Sequence, residues 1–113
     1  MTCKKEKDVI KAYFLLKNDY KIIRQVENKI FCNGGMFDYW VVNDDNVPIW
    51  IEFKNRPSHT KKYFDSEDKV VSLLRDKQKL FLKDLKDTNH SYLIVVGIKD
   101  DILEFGYVVN KAK

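Results

Sequence analysis

The sequence is poor in the residues that cross-link or punctuate small proteins. Only two of its 113 residues are cysteine, Cys3 and Cys32, and they form no CxxC pair. That leaves a zinc knuckle or a disulfide framework unsupported and points to reduced thiols, in line with an intracellular protein. Four glycines and two prolines leave no linker-like tract, and no repeat or low-complexity segment is present. One continuous domain over residues 1–113 is therefore expected. No apolar run approaches the ~20 residues that a membrane-spanning helix needs. The start, Met1-Thr2-Cys3-Lys4-Lys5-Glu6-Lys7, is charged where a signal peptide would be apolar. Neither sign of charge dominates: 21 Lys and Arg against 17 Asp and Glu give a net charge of +4. With a pI near 9.0, this balance suits a polyanionic partner without identifying one. What the chain does have is 44% hydrophobic residues, enough for a core and too many for global disorder.

Hydrophobic spacing orders the chain as αβββαββ. Glu6, Val9, Ile10, Tyr13 and Leu16 recur at helical intervals and predict a first helix from Glu6 to about Asn18. Tyr20 to Arg24 reads as a short strand, and Lys29 to Cys32 as a segment packing nearby before Gly34-Gly35. Two strand-like runs, Met36 to Val42 and Val47 to Lys54, flank the turn-rich Asn43-Asp44-Asp45-Asn46 and predict an antiparallel hairpin. Asn55 to Asp68 is polar and basic, the expected mobile loop. A long helix is predicted from Ser66 to about Lys86, with Val70, Val71, Leu74, Gln78, Phe81, Leu82 and Leu85 on one face. Tyr92 to Val96 reads as a buried strand and Ile102 to Val109 as the last one.

Alternation sorts the hairpin into two faces. Phe37, Tyr39, Val41, Ile49, Ile51 and Phe53 form an apolar face, whereas Asp38, Trp40, Val42, Trp50, Glu52 and Lys54 form the other. A turn centred on Asp45 pairs Trp40 with Trp50 and Asp38 with Glu52 across the ladder. Like charges directly opposed destabilise a sheet unless a cation or a proton intervenes. Hard carboxylate oxygens suit Mg²⁺ or Mn²⁺, and Mg²⁺ takes one or two carboxylates while substrate phosphate and water complete its shell. Lys54 points the same way, where an ammonium would orient a water or stabilise charge developing on phosphorus. An isolated E-x-K is commonplace on a solvated sheet face; the paired acid and two indoles beside it are less so. Trp40 and Trp50 are expected to pack on each other rather than to stack on bases. His59 and His90 lack a second ligand at metal-like spacing.

Gly35-Met36-Phe37-Asp38, then thirteen intervening residues, then Glu52-Phe53-Lys54 resembles the PD-(D/E)XK nuclease superfamily over most of the chain. The resemblance implies a restriction-endonuclease-like α/β fold with an αβββαβ core and a central mixed sheet flanked by helices. Glu6 stands where archaeal Holliday-junction resolvases place an additional metal-linked glutamate. Gln78, in Lys77-Gln78-Lys79, matches the glutamine that virus-type replication-repair nucleases (the VRR-NUC group) carry on the helix after E-x-K. Two departures stand out: Phe37 occupies the position of the family's proline, and the Asn55 to Asp68 loop is longer and more basic than in the VRR-NUC group.

The resemblance implies a divalent-metal-dependent DNA endonuclease. Asp38, Glu52 and the backbone carbonyl of Phe53 would hold Mg²⁺, with Mn²⁺ able to substitute and Glu6 as a further candidate ligand. Lys54 would position the hydrolytic water, with Gln78 as an accessory catalytic group. Glu6 in a first helical turn equally suits the helix dipole, and Gln78 on an apolar stripe equally needs a buried hydrogen-bond partner. Lys61, Lys62, Arg56 and Lys79 are the candidate DNA contacts. Branched or structured DNA is the leading substrate and a homodimer the expected assembly, with a nickase or flap nuclease close behind. The small size suits a phage or mobile-element protein. The alternatives are a non-catalytic nucleic-acid-binding or interaction module of the same fold, and an RNase or restriction-type enzyme of the same superfamily.

Overall fold

The computed structural model describes residues 5–26 and 36–109. Both cysteines, the segment from Lys29 to Cys32 and the Gly34-Gly35 break lie outside those residues. The described elements are α1 (Glu6–Leu16), β1 (Ile22–Gln25), β2 (Tyr39–Val42), β3 (Pro48–Asn55), α2 (Glu67–Val71), α3 (Asp76–Asp87), β4 (Ser91–Gly97) and β5 (Ile102–Tyr107). The strands form one five-stranded mixed sheet in the order β1-β2-β3-β4-β5. β1, β2 and β3 run antiparallel in succession, β4 is parallel to β3, and β5 is antiparallel to β4. The parallel step requires a crossover connection, which α2 and α3 supply.

Helices cover both faces of the sheet, which is why β4 is apolar from Tyr92 to Val96. Leu93 and Val95 join Val9, Tyr13, Ile49, Ile51 and Phe53 on the α1 side. Tyr92, Ile94 and Val96 join Val70, Leu74, Leu82 and Leu85 on the α2–α3 side. A strand buried on both faces has no reason to alternate in polarity. The Tyr13 hydroxyl donates to Glu104 Oε2 at 2.8 Å and lies 2.8 Å from the Tyr20 hydroxyl, tying α1 to β5 and to the segment before β1. Gly97 brings the start of α1 close to the sheet, since a Cβ there would lie 2.3 Å from a Val9 methyl carbon.

Four expectations need correction. First, the long helix is two. Gln78 Oε1 accepts the Arg75 N–H at 3.1 Å, the N–H that a continuous helix would have given to the carbonyl of residue 71. A side chain has outcompeted the backbone and started a new helix. Second, Phe37 leaves the Tyr39–Val41 face: it precedes β2, so strand alternation does not govern it, and it packs edge-to-face on Phe81 of α3. Third, the core stripe of α1 turns toward Phe14, whose ring contacts Tyr20, Tyr39 and Phe53. Leu16, the last helical residue, is left 68% exposed, and Glu6 lies at an exposed rim rather than on the packed face. Fourth, the loop after β3 is anchored. His59, Tyr63 and Phe64 pack ring on ring, and the His59 carbonyl accepts the Lys99 N–H at 3.0 Å.

Candidate active site

The expected register of the hairpin is present: Trp40 opposes Trp50 and Tyr39 opposes Ile51. The ladder ends there. Glu52 Oε1 accepts the Asp38 N–H at 3.1 Å, so a carboxylate stands where the next interstrand bond would form. The Asp38 carbonyl accepts the Val26 N–H at 2.7 Å, fixing this residue from the β1 side as well. Asp38 therefore meets Glu52 as a chain entering the strand rather than as a ladder partner. Trp50 packs edge-to-face on Phe81, a core role.

Glu52 is 2% exposed and Gln78 1% exposed, yet both are polar. Burial of such groups is tolerable only when their hydrogen-bonding capacity is met. Glu52 Oε2 accepts from Gln78 Nε2 at 2.9 Å and pairs with Lys54 Nζ at 3.3 Å. Lys54 Nζ also donates to Gln78 Oε1 at 3.3 Å. The Gln78 amide is thus fixed in orientation, its oxygen accepting from Arg75 and Lys54 and its nitrogen donating to Glu52. Two strand residues and one helix residue lock into a closed triangle, which the split between α2 and α3 makes reachable.

Charge around this triangle is arranged to conflict. Burial, followed by the charge of Asp38, pushes the Glu52 carboxyl up to about 7, against the pull of Lys54 and of the Asp38 N–H. Burial likewise raises Asp38 above the usual aspartate range, opposed by Lys54, by a hydrogen bond with Glu52 and by Arg75. Glu6 is raised by partial desolvation and then by Asp38, with Lys54, Arg56 and Arg75 opposing. Perturbed acids of this kind collect where chemistry is done.

Other candidates disperse. Arg56 turns back to donate to the Asn55 carbonyl at 2.7 Å, within electrostatic reach of Glu6. Lys61 lines a cleft beside β5 with Asp65, Asp101 and Glu104, two strands away from Glu52. Lys62 and Lys79 are exposed. Arg75 acts electrostatically on Asp38 and Glu6 and carries no motif signature; its one trace in the sequence is its place three residues before Gln78, an N-cap spacing.

A divalent cation suits the donor set. Asp38, Glu52 and the peptide carbonyl of Phe53 could offer hard oxygen donors, and a cation there would offset the cost of burying the two carboxylates as charged groups. Among the described residues no three His, Cys, Asp or Glu side chains converge as a metal cage. That is compatible with Mg²⁺, which is held by one or two carboxylates and completed by substrate oxygens.

Neither a protein-family model nor a curated protein matches the sequence. Among solved structures, the Holliday junction resolvase of the archaeal hyperthermophile Archaeoglobus fulgidus superposes with a TM-score of 0.52. The match covers 91% of this chain and 73% of that chain at 10% sequence identity. Likeness at that identity is likeness of fold: the mixed sheet flanked by helices is of the restriction-endonuclease-like type expected from the sequence. No helix among the described residues is long and apolar enough to cross a membrane.

Proposed function

We propose that the chain is a divalent-metal-dependent DNA endonuclease of the PD-(D/E)XK type, a single nuclease-like domain acting on branched or structured DNA. The observation that carries this reading is the buried Glu52–Gln78–Lys54 triangle with Asp38 at its open side. Burying an acid is costly unless it is paired and hydrogen-bonded, and here Gln78, Lys54 and the Asp38 N–H are all spent on holding Glu52. The resolvase likeness adds support for structured DNA as the substrate class.

A cation held by Asp38, Glu52 and the Phe53 carbonyl, with Glu6 at the rim, would supply Lewis-acid stabilisation of charge on the phosphodiester. The chain's own part is positional. Gln78 holds the Glu52 carboxylate in one orientation, and the Asp38 N–H holds its other oxygen. Lys54, with only a small part of its side chain accessible, keeps its ammonium beside the acids, where it orients the hydrolytic water and faces the phosphate. Gln78 is too buried to touch DNA, so it acts through Glu52 and Lys54. Two copies related by a two-fold axis would present two such sites to a four-way junction.

The test is cleavage of labelled four-way junction, flap, duplex and single-stranded DNA with Mg²⁺, Mn²⁺ or EDTA. Cutting is expected with either metal, and its loss with EDTA or in Asp38→Ala. Binding without cutting under every metal would replace this reading with a recognition module. Light scattering of the junction complex is expected to give the mass of two chains plus one junction.

A further inference from the structure

Charged side chains of both signs surround the acid pair. Glu6, Asp38 and Glu52 stand within electrostatic reach of Lys54, Arg56 and Arg75 in varying combinations. The cations are not equivalent. Lys54 is committed to Glu52 and Gln78, and Arg56 is bent onto the Asn55 carbonyl. Arg75 differs in having a rigid base and an exposed side chain. Its N–H is held by Gln78 Oε1 at 3.1 Å, and its carbonyl accepts the Lys79 N–H at 2.9 Å as the first bond of α3. The same Gln78 amide holds Glu52 at 2.9 Å, so the backbone of Arg75 is two hydrogen bonds from the central acid. Its charge is felt by Asp38 and by Glu6.

We propose that Arg75 is the phosphate-binding arginine of the site, gripping the DNA backbone beside the acid pair. The proposal rests on the nuclease reading above and names a residue that the motif does not contain. Charge balance explains why. A divalent cation held by the acids would add two positive charges beside Lys54, Arg56 and Arg75, an excess suited to an incoming phosphodiester. The acids then hold Arg75 less strongly, while its fixed backbone keeps the guanidinium at the rim. A guanidinium forms paired hydrogen bonds to phosphate, whereas an ammonium offers a point charge. Gln78 thereby holds both Glu52 and the backbone of Arg75 through one amide.

The experiment is equilibrium binding of labelled duplex DNA across a salt series in Ca²⁺, followed by fluorescence anisotropy, for wild type, Arg75→Ala and Arg75→Lys. Each neutralised phosphate contributes roughly 0.9 to the slope of log affinity against log salt. Arg75→Ala is expected to lower the slope by about that amount and to weaken binding about tenfold, the size of one charge-assisted contact. Arg75→Lys is expected to keep the slope and recover part of the affinity, which also covers the case in which the alanine variant does not fold. Wild type that binds with an affinity and slope unchanged in both variants overturns the role of Arg75 alone. A folded wild type that binds no DNA overturns the nuclease reading, and this proposal with it.

Discussion

Raising the pH should destabilise the cation-free protein, and the acid pair sets how much. Glu52 moves from an ordinary value of 4.5 to about 7 on folding. A carboxyl raised by folding contributes no penalty below the unfolded value, where both states carry the proton. As pH rises from 4.5 to about 7, the unfolded chain ionises first and stability is lost; above the folded value the loss is constant. The gap corresponds to about 3 kcal/mol, at 1.36 kcal/mol for each pH unit, most of it falling between pH 5 and 8. Asp38 and Glu6 are raised in the same direction and add to it. For a domain of about 100 residues the loss corresponds to a fall in Tm on the order of 10 °C. Urea unfolding at pH 5, 6, 7 and 8 in EDTA measures it without the ionic screening of guanidinium. Asp38→Asn removes the charge that is the second cause of the Glu52 shift, so its profile should be flatter than that of wild type. Mg²⁺ at pH 8 should restore stability in wild type and much less in the variant, because a ligand that binds the folded state stabilises it by mass action. Parallel pH profiles in the two proteins, or a wild type more stable at pH 8 than at pH 5 in EDTA, would refute the electrostatic account of the site.

Three further outcomes follow from the geometry. Gln78→Leu removes the amide shared by Glu52, Lys54 and the Arg75 N–H; it should cost about 1–3 kcal/mol in urea unfolding and lower kcat with little change in KM. Lys54→Ala should leave DNA binding within a few-fold of wild type by anisotropy while cutting falls by roughly 10²–10³, the usual scale for removing one electrostatic donor at a reacting centre. Gly106→Ala should unfold at least about 2 kcal/mol more easily, because the residue has φ of 154° and a Cβ would lie 2.1 Å from the Tyr92 carbonyl oxygen; a wild-type urea midpoint would contradict it.

Local rules read the sheet well and failed where side chains replaced backbone. The Trp40–Trp50 register follows from turn length and period alone, and β4 announces itself by an unbroken apolar run. The failures cluster around two polar side chains. Periodicity assigns Ser66 to Lys86 to one helix, because Val70, Leu74, Gln78, Leu82 and Leu85 do share a stripe; nothing in the stripe says that the Gln78 amide takes the Arg75 N–H and divides it. Likewise, alternation extends β2 back to Met36, because it cannot register that Glu52 takes the Asp38 N–H and ends the ladder at Tyr39.

Those two interruptions have a common physical consequence. Each spends a polar side chain on an N–H that regular structure would have satisfied with a carbonyl, and each leaves that side chain fixed beside the other, since Gln78 Nε2 and Glu52 Oε2 meet at 2.9 Å. A pair of ordinary elements, a full helix and a full ladder, would satisfy the backbone equally well and leave Glu52 free to swing. The broken helix and the shortened ladder are therefore what hold the acid still, and they occur in two places where propensity and period alone give the wrong element boundary. In this fold the departures from local rule mark the site more sharply than the E-x-K motif does, because the motif specifies which residues are present and the departures specify what keeps them in place.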